Sequence, residues 1–166
     1  MSKADAPVRA IPTEAYFALV RQKLSEEGWA YVWVTGMSMW PLLHHMRDGV
    51  ILAPPDRIRA GDIVLFDRRT GRYALHRVIR IKGNVFTMAG DNQAHAEKNL
   101  PCDQIVGVVV AIDRKGRQIA SGNFWMRIYA LALTWTAFPR IYLRRAIQKL
   151  KKLCRSSATP GKKGVC

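Results

Sequence analysis

The sequence predicts a mostly β domain, a coiled antiparallel sheet or partly open barrel, with a helix ahead of it and an amphipathic helical tail behind it. Three observations point there. Between residues 29 and 112, short apolar and β-branched runs recur with glycine and proline between them, the pattern of many short strands. Residues 13–27 place Phe17, Val20 and Leu24 on one helical face. Beyond residue 121 acidic side chains disappear and a helical, cationic pattern takes over. At 166 residues the chain fits one domain with a sizeable core, and it shows no internal repeat.

Residues 1–11, with Pro7 and then Pro12 beyond, are expected to form a loose arm, followed by a helix with Thr13 as its N-cap and Gly28 as its stop. Trp29 to Val34 predicts a strand from its aromatic and β-branched content. Gly36 then allows a tight turn. Val50-Ile51-Leu52 predicts a short strand ended by Pro54-Pro55, and Gly61-Asp62 opens another from Ile63 to Phe66. Arg68 to Arg72 forms a polar hairpin turn into Tyr73 to Ile81. Alternation along that run puts Tyr73, Leu75, Arg77, Ile79 and Ile81 on one face and Ala74, His76, Val78 and Arg80 on the other. Gly83 turns the chain into Val85 to Met88, and Ile105 to Ile112 closes the sheet. Phe124 to Phe138 is apolar apart from Arg127 and is ended by Pro139; a spanning helix needs roughly 20 residues. After it, Ile141 or Tyr142, Ala146, Leu150 and Leu153 recur at helical spacing opposite a cationic face. The resulting divisions are an arm and helix over 1–28, a β domain over 29–121, a basic amphipathic segment over 122–155 and a disordered tail over 156–166.

The formal net charge is +15, and residues 122–166 hold ten Lys or Arg and no Asp or Glu. Such a segment attracts an anionic surface. Apolar residues interleaved with the cations favour a lipid surface over nucleic acid as the partner. No apolar run precedes a small-residue cleavage site near the N-terminus, so no secretory signal peptide is expected. Cys102, Cys154 and Cys166 form no C-x-x-C and are odd in number, which favours a reduced compartment. The expected location is peripheral to a membrane, on its cytoplasmic side.

Candidate chemistry centres on Ser38, in Gly36-Met37-Ser38-Met39-Trp40-Pro41, and on His76, in Leu75-His76-Arg77-Val78-Ile79. A serine hydroxyl becomes a nucleophile only when a neighbouring base takes its proton. Two further motifs accompany them, Gly61-Asp62-Ile63-Val64-Leu65-Phe66 and Gly90-Asp91-Asn92. In this order, over roughly residues 30–112, the four resemble the type I signal peptidase superfamily, serine peptidases that also include self-cleaving repressors. Position 76 is like the histidine-base branch. The resemblance implies a sheet of the signal peptidase catalytic-core type, Ser38 as nucleophile, His76 as general base, and either Asp91 or Glu97 as the acid that orients the imidazole. It also implies a peptide or preprotein substrate cut after small residues at the first and third positions.

Where relatives often carry a serine, this chain has Gly36. An oxyanion hole would rest on backbone N–H groups, chiefly that of Ser38, with Thr35 as a hydroxyl donor. Gly36, Met37 and Met39 are the expected oxyanion or substrate-lining positions, and Met39 and Trp40 serve equally as core. No cofactor or metal is expected: His44 and His45 are adjacent, which suits loop positions better than a shared ion. Asp62 is expected to hold a turn, Arg77 to pair with an acid such as Asp91, and His95 to have no role. The rival classes are a nonenzymatic β module binding anionic membrane or nucleic acid, and a self-cleaving regulator. Oligomeric state is not legible.

Overall fold

A computed structural model describes residues 12–156; the expected loose arm at 1–11 and the disordered tail beyond Ser156 lie outside the described residues. Helix α1 runs Thr13–Glu26. Its N-cap is Pro12, not Thr13, and no side chain caps it. Pro12 suits the entry because its fixed φ leads into the first turn, where its carbonyl accepts from Tyr16 N at 3.0 Å. Gly28, at φ +76°, ends the helix as expected.

Eight strands follow: β1 Ala30–Trp33, β2 Asp48–Ala53, β3 Ile63–Asp67, β4 Tyr73–Lys82, β5 Val85–Ala89, β6 Ala96–Pro101, β7 Ile105–Arg114 and β8 Arg117–Ala120. They form one sheet in the order β1-β2-β7-β3-β4-β5-β6, with β8 on β7. Every pairing is antiparallel. The sheet coils without closing into a barrel.

Two of these strands carry little sequence signal. β8 has one apolar residue, Ile119, and exists because Lys115 and Gly116 both adopt positive φ, 55° and 80°, in a two-residue turn that suits the twist of a hairpin. β6 reads Ala-Glu-Lys-Asn-Leu-Pro, an edge strand with no apolar alternation. Its partner β5 supplies the pairing, with a register break between Phe86 and Met88.

Coiling splits the core in two. Val20 and Leu24 of α1 pack with Val32, Val50, Leu52, Leu65, Val109 and Ile112 on one side. Val64, Phe66, Val78, Phe86, Met88 and Ile105 fill the other. Strict alternation along β4 fails at its far end. A bulge between Val78 and Arg80 shifts the register, so Ile81 packs with Ala74 and Val78 and not on the face of Leu75.

Helices α2, Phe124–Trp135, and α3, Ala137–Ser156, follow the sheet. Asn123 caps α2 by accepting from Trp125 N at 3.1 Å. Pro139 was expected to end the apolar helix; instead that helix stops at Trp135 and Pro139 lies in the first turn of α3. The reason is steric: a helix continuing through position 139 would lose the bond to the carbonyl of Trp135 and press the proline ring against it, whereas a first-turn proline loses nothing. Ala137 and Ile141 are buried against Ile79 and Ala89, so the basic segment is docked on β4 and β5.

Phe66, fully buried, is the floor beneath His76, their rings 5.4 Å apart. Phe66→Ala is expected to lower unfolding free energy by about 3–5 kcal/mol, measured by urea denaturation, and to reduce any activity of the site by freeing the imidazole.

Candidate active site

The turn carrying Ser38 is built from both sides. Val34 N donates to Asp48 O at 3.0 Å and Met46 N to Val34 O at 2.9 Å, closing the loop 34–48 at its base. Asp48 is fully buried among Arg47, Arg114 and the backbone N–H of His44. Burial pushes its carboxyl up, but the bonds from Arg47 and His44 outweigh that and hold it below the usual range. Within the loop, Gly36 adopts φ +90° and its N–H donates to His45 Nδ1 at 2.9 Å. His44 Nδ1 lies 2.6 Å from Arg47 Nη2. Both histidines thus brace the loop.

From the other side comes the Gly-Asp-Asn turn. Asn92 donates its backbone N–H to Ser38 O at 2.8 Å and its side-chain amide to Met37 O at 3.2 Å. Gly90 leaves the space for this: a Cβ there would stand 2.6 Å from Ser38 O. Asp91 faces the opposite way, gripped by Arg77 through Nε at 2.9 Å and Nη2 at 2.7 Å, while Arg77 Nη1 donates to Gly61 O at 2.7 Å. Arg77 and Asp91 are both buried. Four motifs distant in sequence are therefore stitched together behind Ser38, with Asp91 tied to Arg77 and the carboxylate beside His76 coming from elsewhere.

His76, on β4, is 0% exposed. Its Nδ1 lies 3.2 Å from Glu97 Oε1 of β6, an ion-pair distance reached along a bent path. Glu97 is in turn held by Arg68, whose Nε donates to Oε2 at 3.1 Å and whose Nη2 donates to Oε1. Burial alone would raise the Glu97 carboxyl, but bonds and charge from His76 and Arg68 outweigh it and bring it down to about 2. Both ring nitrogens of His76 are buried, and neither makes a hydrogen bond of good geometry among the described residues. Ser38 and His76 line one cavity of about 590 Å³. Ser38 Oγ lies 3.5 Å from Leu75 O, the carbonyl preceding His76.

The same cavity takes Thr35, Arg68 and Gln93 as polar walls, and Phe17, Leu65 and Tyr73 as apolar ones. Phe17 and Tyr73 stack with centroids 3.7 Å apart, so α1 forms part of the cleft. Met39 does not line it. It is buried in the core with Val34 and Leu43, because the turn points its neighbour Ser38 outward. Met37 is exposed beside the cleft, and the N–H of Gly36 is taken up by His45; from this turn the wall residues are Thr35 and Ser38. Arg68, Gln93 and Phe17 carry no sequence signal as site residues. Arg68 reaches Glu97 across 29 positions through an edge strand that no apolar pattern announces.

A family model described as Peptidase S24-like matches residues 3–110. The chain belongs to the Peptidase S24-like family. That family lies in the clan of serine peptidases that includes repressors and signal peptidases, and its match takes in Ser38, His76, Asp91 and Glu97 while leaving α2 and α3 outside it. No curated protein matches the chain. Serine peptidase chemistry or a self-cleaving regulator fold is thus the coarse reading for this S24-like chain.

Two substitutions separate the acids. Glu97→Gln is expected to lower any turnover and to cost stability near neutral pH, because the pairing with Arg68 and His76 is lost. Because its folded-state carboxyl lies below 4.5, at about 2, Glu97 adds stability above that range and loses it as pH falls from about 4.5 to about 2. Stability measured across this window should fall less steeply in Glu97→Gln. Asp91→Asn leaves the buried Arg77 unpaired, and denaturation should show a loss of about 3–5 kcal/mol.

Proposed function

We propose that this chain is a serine endopeptidase that cleaves a leader or precursor peptide in trans through Ser38, His76 and Glu97. One observation carries the reading: a fully buried imidazole has a carboxylate 3.2 Å from Nδ1, a buried Nε2 without a hydrogen-bond partner, and a place in the wall of the cavity that also holds Ser38. A buried nitrogen without a partner is costly, and a catalytic base gives it one when the serine proton arrives. In this mechanism Ser38 Oγ exchanges Leu75 O for His76 Nε2 and attacks the peptide carbonyl. His76 takes the proton and passes it to the leaving amine, and Glu97, kept ionised, stabilises the imidazolium. Water then releases the acyl group through the same base. The backbone N–H of Ser38, aided by Thr35, is the proposed oxyanion donor. Resemblance to signal peptidases supports small residues at the first and third positions before the cut.

One observation favours self-cleavage as a second reading. Thr13, the first residue of α1, lines the same cleft as Ser38.

Ser38→Ala is expected to fold normally and to lose cleavage of an Ala-x-Ala peptide by about 10⁴-fold or more, and a serine-reactive phosphonate should label the wild type alone. Unchanged cleavage by Ser38→Ala would exclude the serine mechanism. Intact mass decides the second reading: a shortened N-terminus in the wild type but not in Ser38→Ala marks self-cleavage, and a full-length wild type that cleaves the added peptide marks action in trans.

A further inference from the structure

Helix α2 docks the wrong way round for a soluble protein. An amphipathic helix on a globular domain ordinarily buries its apolar stripe. Here Phe124, Ile128, Leu131 and Trp135, spaced at four, three and four residues on one stripe, are between 44% and 79% exposed. Trp125 flanks them at 74%. The side turned inward is narrower: Ala130 meets Gly61, Tyr129 stacks with Arg77, and Met126 touches the core.

Helix α3 repeats the arrangement. It docks through Ala137 and Ile141, which settles the choice between Ile141 and Tyr142: Ile141 faces the sheet, and Tyr142 joins Leu143, Ile147 and Leu150 on an exposed arc. The cations Arg145 and Lys149 border that arc. Exposed apolar patches of this kind mark an interaction surface.

We propose that the outward faces of α2 and α3 are a docking surface for an anionic lipid bilayer, entered to the depth of the headgroups. Charge selects the occupant. Residues 122–166 carry ten Lys or Arg and no acid, so a second copy of this chain would bring the same positive segment into contact with itself, and like charges oppose it. An anionic surface neutralises the segment along its whole length. Exposed Trp125, Trp135 and Tyr142 are the side chains that settle where apolar and polar regions meet. Among the described residues no helix is long and apolar enough to cross a membrane, which fits lying in the interface.

Docking here has a consequence for the site. Arg145 Nε donates to Ala94 O at 2.9 Å, two residues beyond the Asn92 that holds Ser38 O. Helix α3 is thus bonded to the turn behind Ser38.

The test is co-sedimentation of the full chain with vesicles of phosphatidylcholine alone and with phosphatidylglycerol added, at low and high salt, with tryptophan fluorescence recorded. The wild type should pellet with anionic vesicles, release with salt, and shift its emission to the blue. Lys149→Gln/Lys151→Gln/Lys152→Gln should weaken partitioning about a hundredfold, three surface charges at about fivefold each. Trp125→Ala/Trp135→Ala should bind weakly with the blue shift lost. Circular dichroism and phosphonate labelling of Ser38 in solution verify that both variants keep the fold, and these readouts are independent of membrane binding. Equal pelleting with neutral and anionic vesicles overturns the proposal. So does a wild-type dimer in sedimentation velocity that the double tryptophan variant converts to monomer, because the face would then belong to a second copy.

Discussion

A buried imidazole between a carboxylate and an open cavity is the constraint on which the rest of this structure depends. His76 has lost all contact with solvent, so the protein must supply whatever its ring nitrogens bond. Glu97 meets one of them, and Arg68 keeps that carboxylate ionised and aimed. Each member sits on a different element: His76 in β4, Glu97 in the edge strand β6, Arg68 just past the end of β3. Antiparallel pairing of β3 with β4, β4 with β5 and β5 with β6 is what carries the charges to one place. The sheet is a frame for a charge relation more than a scaffold for a loop.

The Gly-Asp-Asn turn is the second half of that frame, and its three residues divide the labour. Glycine provides room for the carbonyl of Ser38, asparagine bonds the backbone of the turn carrying Ser38, and aspartate anchors the whole Gly-Asp-Asn turn to Arg77. Asp91 and Glu97 therefore answer to different arginines. Two buried or half-buried ion pairs, Arg77 with Asp91 and Arg68 with Glu97, hold the two carboxylates apart, and only Glu97 lies beside the imidazole. The helices beyond the sheet join this frame at Ala94 and Ala89, which ties the exposed aromatic platform to the turn behind Ser38.

Much of the fold was legible because its strands obey local rules. Ile63–Asp67 and Tyr73–Lys82 are runs of β-branched and aromatic residues with turn residues between them, and both appear close to their expected bounds. What escaped was set by partners distant in sequence. β6 is polar and becomes a strand because β5 has an open edge; the bulge at Val78 reverses a face that alternation assigns otherwise. Ser38 and His76 stood out through their motifs, yet the choice between Asp91 and Glu97 needed the pairing of Arg77 with the former, a contact across 14 positions. Met39 looked like a cleft residue by adjacency to Ser38, but neighbours along a tight turn point apart, and it packs in the core.

The central claim is that Glu97 fixes the His76 tautomer so that Nε2 is left bare toward Ser38. Nitrogen-15 NMR of the imidazole at neutral pH, on the full chain, reads this directly. The account predicts a protonated Nδ1 and an unprotonated Nε2 in the wild type, with the preference weakened in Glu97→Gln. A wild-type ring carrying its proton on Nε2, unchanged in Glu97→Gln, would contradict it.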